Sequence, residues 1–484
     1  MVFSTATFLF AFLPIVLLLY FAVPRRWRNG WLLFASLFFY AWGETWIVAV
    51  MLASILVNWA LALLLDDGRP RRKWGVALSV VFNLGLLVAF KYANFLVDNL
   101  NPVLVAAGMP AMAIPVISLP IGISFFTFQA LSYVIDVYRG QARVQRNPLD
   151  FALYIALFPQ LIAGPIVRYV DVAEQIESRT CSADLFADGV RRFVFGLAKK
   201  MLIANTVASV ADRIFALPNE ELTLGLSWLA TVCYSLQIYF DFSGYSDMAI
   251  GLGLMFGFRY LENFAYPYAA DSITKFWRRW HMSLSTWFRD YVYIPLGGNR
   301  GSRIATYRNL VIVFFLCGLW HGASWTFVLW GIYHGAFLVF ERLGAGRIVH
   351  DAPRALRHAY TLFVVACGWV LFRATSIDQA LEFYGAMLGF GAGNGIAHEA
   401  GAYLDSEVIL TILLGGVAAM PVLPSIGQWA QRVLDRNEAV PSVTGVLAVS
   451  AMRGLLLCIL AVLFVACATK LAASTYNPFI YFRF

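Results

Sequence analysis

Two of the six histidines in this chain of 484 residues fall in CGLWHGASWTFVLWGIYHG, residues 317–335, a run without Lys, Arg, Asp or Glu. Imidazole ionises near pH 6.5, at about the right point to take a proton from a hydroxyl or thiol at neutral pH. A histidine inside a greasy segment is a functional candidate by default. The plainer alternative is a buried neutral ring hydrogen-bonded to a neighbour. On one continuous helix, the step from His321 to His334 is a rotation of about 220° and a rise of about 20 Å. The two rings would then point to nearly opposite faces and do different jobs, with the stronger functional case at His321. No carboxylate lies within a helical turn of His321, so a Ser–His–Asp relay is not readable locally.

A second stretch, FWRRWHMSLSTWFRDYVYIPLGGNR at 276–300, interleaves aromatics and arginines around His281. This is an interfacial composition, with aromatics at headgroup level and cations toward water. Lys275, Arg278 and Arg279 are candidate ligands for the phosphates of a bulky anionic donor, because charge-assisted hydrogen bonds are the strong ones. An amphipathic helix lying on the membrane is the other reading of the same pattern. Gly297-Gly298-Asn299 reads as a turn, too short for a phosphate loop. Just upstream, YFDFSGYSDMAIGLGLMFGF at 239–258 sets Asp241 and Asp247 among apolar residues. Such charges must be paired or face a cavity, and an arginine from 278–289 is the expected partner.

The elements that position these residues are transmembrane helices. Apolar residues make up 60% of the chain and charged ones 13%, with mean hydropathy +0.70. A soluble domain has about 45–50% and 25%. Continuous apolar blocks at 6–23, 46–65, 74–90, 407–424 and 454–469 approach or reach the roughly 20 residues that cross a bilayer. They do not alternate as barrel strands would. The class is an all-α polytopic membrane protein. The first block lacks a positive n-region and a cleavage site, so it reads as a retained helix. The six cysteines form no C-x-x-C pair, and neither a disulfide nor a metal site is expected. Basic loops explain the net charge of +8 without any nucleic acid.

The positive-inside rule orders these segments. Residues 24–28, 66–73 and 139–146 are rich in arginine and belong in the cytoplasm, whereas 95–111 has no Lys or Arg and faces outward. The basic segments 258–308 and 342–357 are also cytoplasmic. Residues 309–341 between them are too few for two full spans at about 1.5 Å per residue. A re-entrant or broken hairpin is therefore expected, bent near Gly318–Gly322, with His321 near its tip. Both termini are then predicted outside, in the periplasm.

Several segments together resemble one family. GLWHG at 318–322, FWRRWHMSLSTWFRDYVYIPLGG at 276–298, YFDFSGYSDMAIGLG at 239–253, LPIGISFFTFQALSYVIDVYRG at 119–140 and FPQLIAGPIVR at 158–168 are similar to the membrane-bound O-acyltransferase (MBOAT) family, in its bacterial polysaccharide O-acetylation branch. The resemblance spans most of the chain and is weakest around 380–445. It implies one domain over 1–484, a ring of tilted and re-entrant helices around a central tunnel, and His321 and His281 as the catalytic pair. It also implies acetyl-CoA as donor, with no permanently bound cofactor, in a bacterial inner membrane among lipid. The expected partners are a periplasmic SGNH or esterase-like acetyltransferase and a polysaccharide secretion machinery. The polymer is expected to be of alginate type, with cellulose or peptidoglycan as other possibilities. The tail at 471–484 ends YNPFIYFRF, similar to the C-terminal motif of a small partner peptide in teichoic acid D-alanylation. Tyr481 is thus a candidate acyl carrier, and an aromatic membrane anchor is the alternative. Two other functions compete with acyl transfer. A transporter or flippase would show charges lining an alternating path, and a non-catalytic scaffold would tolerate loss of every histidine.

Overall fold

In lipid every backbone N–H and C=O must be satisfied within the protein, so apolar segments of this length fold as helices. A computed structural model describes residues 1–66, 72–395, 398–422, 425, 427, 432, 443–473 and 476–480. The described residues form helices and turns without a strand. Among the described residues, five helices are long and apolar enough to cross a membrane: Arg72–Ala106, Ala183–Phe215, Arg303–His321, Arg354–Arg373 and Val449–Ala473. Shorter apolar helices, Phe8–Ala22, Val48–Leu63, Ile123–Tyr138 and Ser406–Ala418, complete the bundle.

At the centre is the helix Leu224–Met255, 32 residues long and buried on most of its surface. It packs on Ala183–Phe215 at very short range, because both helices carry glycines seven residues apart. A Cβ on Gly189 or Gly196 would lie 2.6 Å from the carbonyl oxygen of Gly251 or Gly244. Without a hydrophobic drive between helices in lipid, such small-residue contacts supply the attraction by close van der Waals packing. Between Val48–Leu63 and Arg72–Leu87 the same purpose is served by a buried amide pair. Asn58 and Asn83 bond to each other at 2.7 and 3.2 Å and to Ser79 and Ser54.

The stretches that carry the family resemblance lie far apart in sequence and converge in space. Trp287 stacks on Phe128 with ring centroids 3.7 Å apart and donates its indole N–H to the Phe128 carbonyl. Arg168 pairs with Asp290 at 3.1 Å. The Ser283 hydroxyl accepts from the Ile166 amide at 2.9 Å.

Residues 303–342 form a helical hairpin, with arms Arg303–His321 and Trp325–Arg342 joined through Gly322-Ala323-Ser324. The first arm begins six residues before the expected start, capped by Ser302 on the Ala305 amide. At 19 and 18 residues, each arm is about 27–28 Å long. That is close to the thickness of the hydrocarbon core, so the arms are longer than the 309–341 window allowed. They touch backbone to backbone where Gly318 meets Gly331. A Cβ on Gly318 would lie 2.3 Å from the Phe327 oxygen, and one on Gly331 2.2 Å from the Phe314 oxygen.

The two intramembrane aspartates do not pair with an arginine of 278–289. Asp241 pairs with Lys200 at 2.7 Å. Asp247 pairs with Arg192 at 2.8 Å and Lys199 at 2.6 Å. The reason is proximity: the glycine contacts bring residues 189–200 directly against 241–251, whereas the 278–289 stretch meets this helix through His281, at Phe242, and not through its arginines.

Candidate active site

His321 is the last residue of its arm and is 6% exposed. Its ring lies edge-on among Trp320, Trp330 and Phe372, with centroids 4.9–5.1 Å away. His334 lies on the second arm, and Trp330 stands between the two, 5.1 Å from His321 and 5.2 Å from His334. They are two separate histidines, one on each arm of the hairpin. His334 is fully buried against Trp277, Tyr333 and Gly368.

His281 arrives from the other stretch. The segment 273–281 is amphipathic: Phe276, Trp277, Trp280 and His281 are buried, Lys275 and Arg278 are exposed, and Arg279 is half-buried. The Glu341 carboxylate fixes its start by accepting from the Ile273 and Thr274 amides and the Thr274 hydroxyl at 2.6–2.9 Å. At its end His281 adopts φ +43°, ψ +56°, a left-handed conformation that is uncommon away from glycine. Strain of this kind costs of order 1–3 kcal/mol and clusters at functional sites. The turn sends the imidazole inward, edge-on to Phe242 at 4.6 Å and 6.0 Å from Trp320. His281 and His321 therefore flank the same indole.

The tautomer of His281 follows from its neighbours. Asn263 Oδ1 accepts from the Ser283 amide at 3.3 Å and the Ser283 hydroxyl at 2.9 Å, and lies 3.1 Å from His281 Nδ1. An oxygen already identified by a backbone N–H can only accept. Nδ1 of the ring is then the donor, and Nε2 is the basic nitrogen of the neutral imidazole.

Two cavities share His321. The larger, about 260 Å³, is lined by Lys91, residues 119–125, Ile162, Trp320 and His321. The smaller is a cleft of about 10 Å³ between Phe242, Trp280, Trp330, Trp369, Phe372, His321 and Ile480.

Sequence reasoning missed Lys91. It lies in a π-helical turn, Val88–Tyr92, inside the Arg72–Ala106 helix. Its ammonium donates to the carbonyls of Trp320 and His321 and to the Ser124 hydroxyl, while Tyr92 donates to the Leu319 carbonyl at 2.8 Å. Helix ends leave their last carbonyls without intrahelical partners and carry partial negative charge. Lys91 supplies both the donors and the charge at the end that carries His321. The readable signal is a lone cation in a long apolar helix.

The three basic candidates are placed less uniformly. Lys275 pairs with Asp271 at 2.6 Å, and Arg357 shares that carboxylate at 3.1 Å. These two cations hold the Asp271 carboxyl below its ordinary pKa, the Lys275 hydrogen bond being the larger cause. Arg278 and Arg279 flank the segment that ends in His281, on its solvent-facing side. Tyr481 lies outside the described residues. The tail is described to Ile480, which lines the cleft beside His321.

A polytopic helical protein that buries two imidazoles around one indole, one of them, His321, lining two internal cavities, has the make-up of an intramembrane acyltransferase. The chain belongs to the membrane-bound O-acyltransferase family, whose model matches residues 34–378. It is 44% identical to the probable alginate O-acetylase AlgI of Azotobacter vinelandii over the full length of both chains. It is 36% identical to the peptidoglycan O-acetyltransferase of Helicobacter pylori, over 85% of this chain and 86% of that one. A teichoic acid D-alanyltransferase of Bacillus subtilis is 30% identical over 43% of this chain and 55% of its own.

Proposed function

We propose that this protein takes acetyl from acetyl-CoA on the cytoplasmic side and passes it across the inner membrane for O-acetylation of an extracytoplasmic polysaccharide. The full-length similarity to alginate O-acetylases, stronger than that to the peptidoglycan enzyme, favours an alginate-type polymer. The observation that carries the mechanism is the position of His321, in the wall between the larger cavity and a cleft that the tail itself helps to line.

In this reading the nucleotide rests against the basic side of 275–279 and only the thin pantetheine arm enters. One peptide link, about 3.8 Å between Cα atoms, separates Ile480 from Tyr481. The Tyr481 oxygen attacks the thioester carbonyl, a C–O bond forms as the C–S bond breaks, and His321 takes the phenolic proton. CoA leaves as the thiolate and is protonated. His321 hands this proton on to the thiolate, and His281, across Trp320 with its basic Nε2, is the second group able to relay it. Acetyl on the tail then passes to a periplasmic esterase-like partner, which places it on the polymer. The histidines supply general base catalysis, an effect of about 10²–10⁴-fold.

The test is purified protein with acetyl-labelled acetyl-CoA, reading free CoA and label on the C-terminal peptide. Wild type should release CoA and label Tyr481, and His321→Ala should do neither. Full activity in Tyr481→Phe, which removes one hydroxyl, would end the carrier role. Unchanged CoA release in His321→Ala would make that histidine structural.

A further inference from the structure

Among the described residues, Lys200 and Asp241 are the one ion pair with both side chains almost wholly buried, at 2% and 1% exposed. Taking two charges out of water is unfavourable unless their geometry is good and further hydrogen bonds use the remaining valences. Here those valences go to the C-terminal tail. The Lys200 ammonium donates to the Pro478 carbonyl, and Asp241 Oδ2 accepts from the Ile480 amide at 2.9 Å. A cation on a carbonyl and an anion on the amide two residues later match the polarity of a peptide backbone, whatever its side chains.

The rest of the segment is seated as well. Asn477 donates to the Ser4 carbonyl at 2.7 Å and accepts from Asn205 at 3.2 Å. Phe479 packs on Tyr245, 4.9 Å between rings, with the Lys200 ammonium 5.9 Å from its centroid. Lys200 itself sits in a π-helical turn, Lys199–Ala204, that interrupts the Ala183–Phe215 helix. Such turns recur at functional sites because the extra residue re-aims side chains. A membrane anchor needs none of this; burial of its rings would suffice.

We propose that Lys200 and Asp241 are a docking site for the chain's own C-terminal segment, which they hold through two backbone groups so that Ile480 lies at the His321 cleft. The docking site stands on the contacts above. Its purpose, presenting the acceptor for loading, rests on the carrier reading of Tyr481.

The test replaces Ile480 in the full-length protein, in two ways. Ile480→Pro removes the N–H that donates to Asp241 and leaves both core charges in place. Ile480→Ala keeps the N–H and trims the side chain. Ile480 is itself buried, so thermal unfolding of both variants is run alongside to check that the membrane body keeps its fold. Chymotrypsin cleavage after Tyr476, a site common to all forms, is followed by intact mass. Ile480→Pro should lose residues 477–484 at least about ten-fold faster than Ile480→Ala, the scale of one charge-assisted hydrogen bond. Equal rates in the two variants would overturn the docking site. Acetyl label on the tail is read in parallel. Release of the segment in Ile480→Pro, with no label on wild-type tail, would keep the docking site and discard the carrier. Label on wild type, with Ile480→Pro as protected and as fully labelled as Ile480→Ala, would do the reverse.

Discussion

Gly318→Ala inserts a methyl group where the two hairpin arms touch. The new Cβ would lie 2.3 Å from the Phe327 oxygen, whereas ordinary contact begins at 3.4 Å. That oxygen is backbone in the facing arm and cannot swing aside. The arms must therefore separate by about 1 Å at Gly318, one helical turn from His321. Overpacking of this kind costs about 1–3 kcal/mol in stability. The larger effect falls on chemistry, because a misplacement of about 1 Å at a reacting group costs on the order of 100-fold in rate. The assay is acetyl-CoA turnover by purified protein, with thermal unfolding run alongside. Turnover should fall about 100-fold, equivalent to about 2.7 kcal/mol of barrier, with the KM for acetyl-CoA little changed. Gly331→Ala, whose Cβ would meet the Phe314 oxygen at 2.2 Å, should behave alike. Gly344→Ala, with nothing within 4 Å, should match wild type. A folded Gly318→Ala protein with wild-type turnover would refute the claim that the glycine crossing sets the position of His321.

Other expectations follow from the same contacts. Lys91→Met removes the donors that cap the His321 helix, so unfolding in detergent should become easier by about 2–3 kcal/mol; turnover should fall further than stability, and Lys91→Arg should restore part of it. Glu341→Gln keeps one acceptor where the carboxylate offers two, which should cost about 1–2 kcal/mol, read by thermal unfolding, with faster proteolysis of the 273–281 segment. Asp247→Asn takes the shared anion from Lys199 and Arg192 and leaves Arg192 with Glu262. The site is partly exposed, so the loss should fall between the surface and buried limits, at about 2–3 kcal/mol by thermal unfolding; wild-type stability would refute a structural role for this network.

Much of the fold was legible because lipid constrains sequence so strongly. Apolar block length gave the helical class, and the break between the helices at 322–324 falls near the expected bend at Gly318–Gly322. His321 and His334 were legible as separate, though through the expected break: they lie on different arms of the hairpin, so the rotation of one continuous helix does not apply. What stayed hidden depends on contacts between distant segments. The left-handed turn at His281 is imposed by its setting between Asn263 and Trp320, and no local residue signals it. Asp241 and Asp247 were legible as needing partners, yet the partners follow from a glycine crossing between two helices. Lys91 and Lys200 both sit in π-helical turns, whose single extra residue breaks the 3.6-residue period used to read a helix face.

The aromatic packing around His321 also has an electrical consequence. The proposed passage of acetyl through a bilayer must not short-circuit it, since each elementary charge crossing 100 mV releases about 2.3 kcal/mol. The cavity of about 260 Å³ on one side has room for a chain of waters, along which protons would pass. The cleft beyond His321, at about 10 Å³, has room for about one water. Trp280, Trp330, Trp369 and Phe372 thus act as insulation. In the proposed mechanism their bulk keeps the proton taken by His321 from becoming a leak current, so thinning them to alanine should depolarise the cell before it improves access for any substrate.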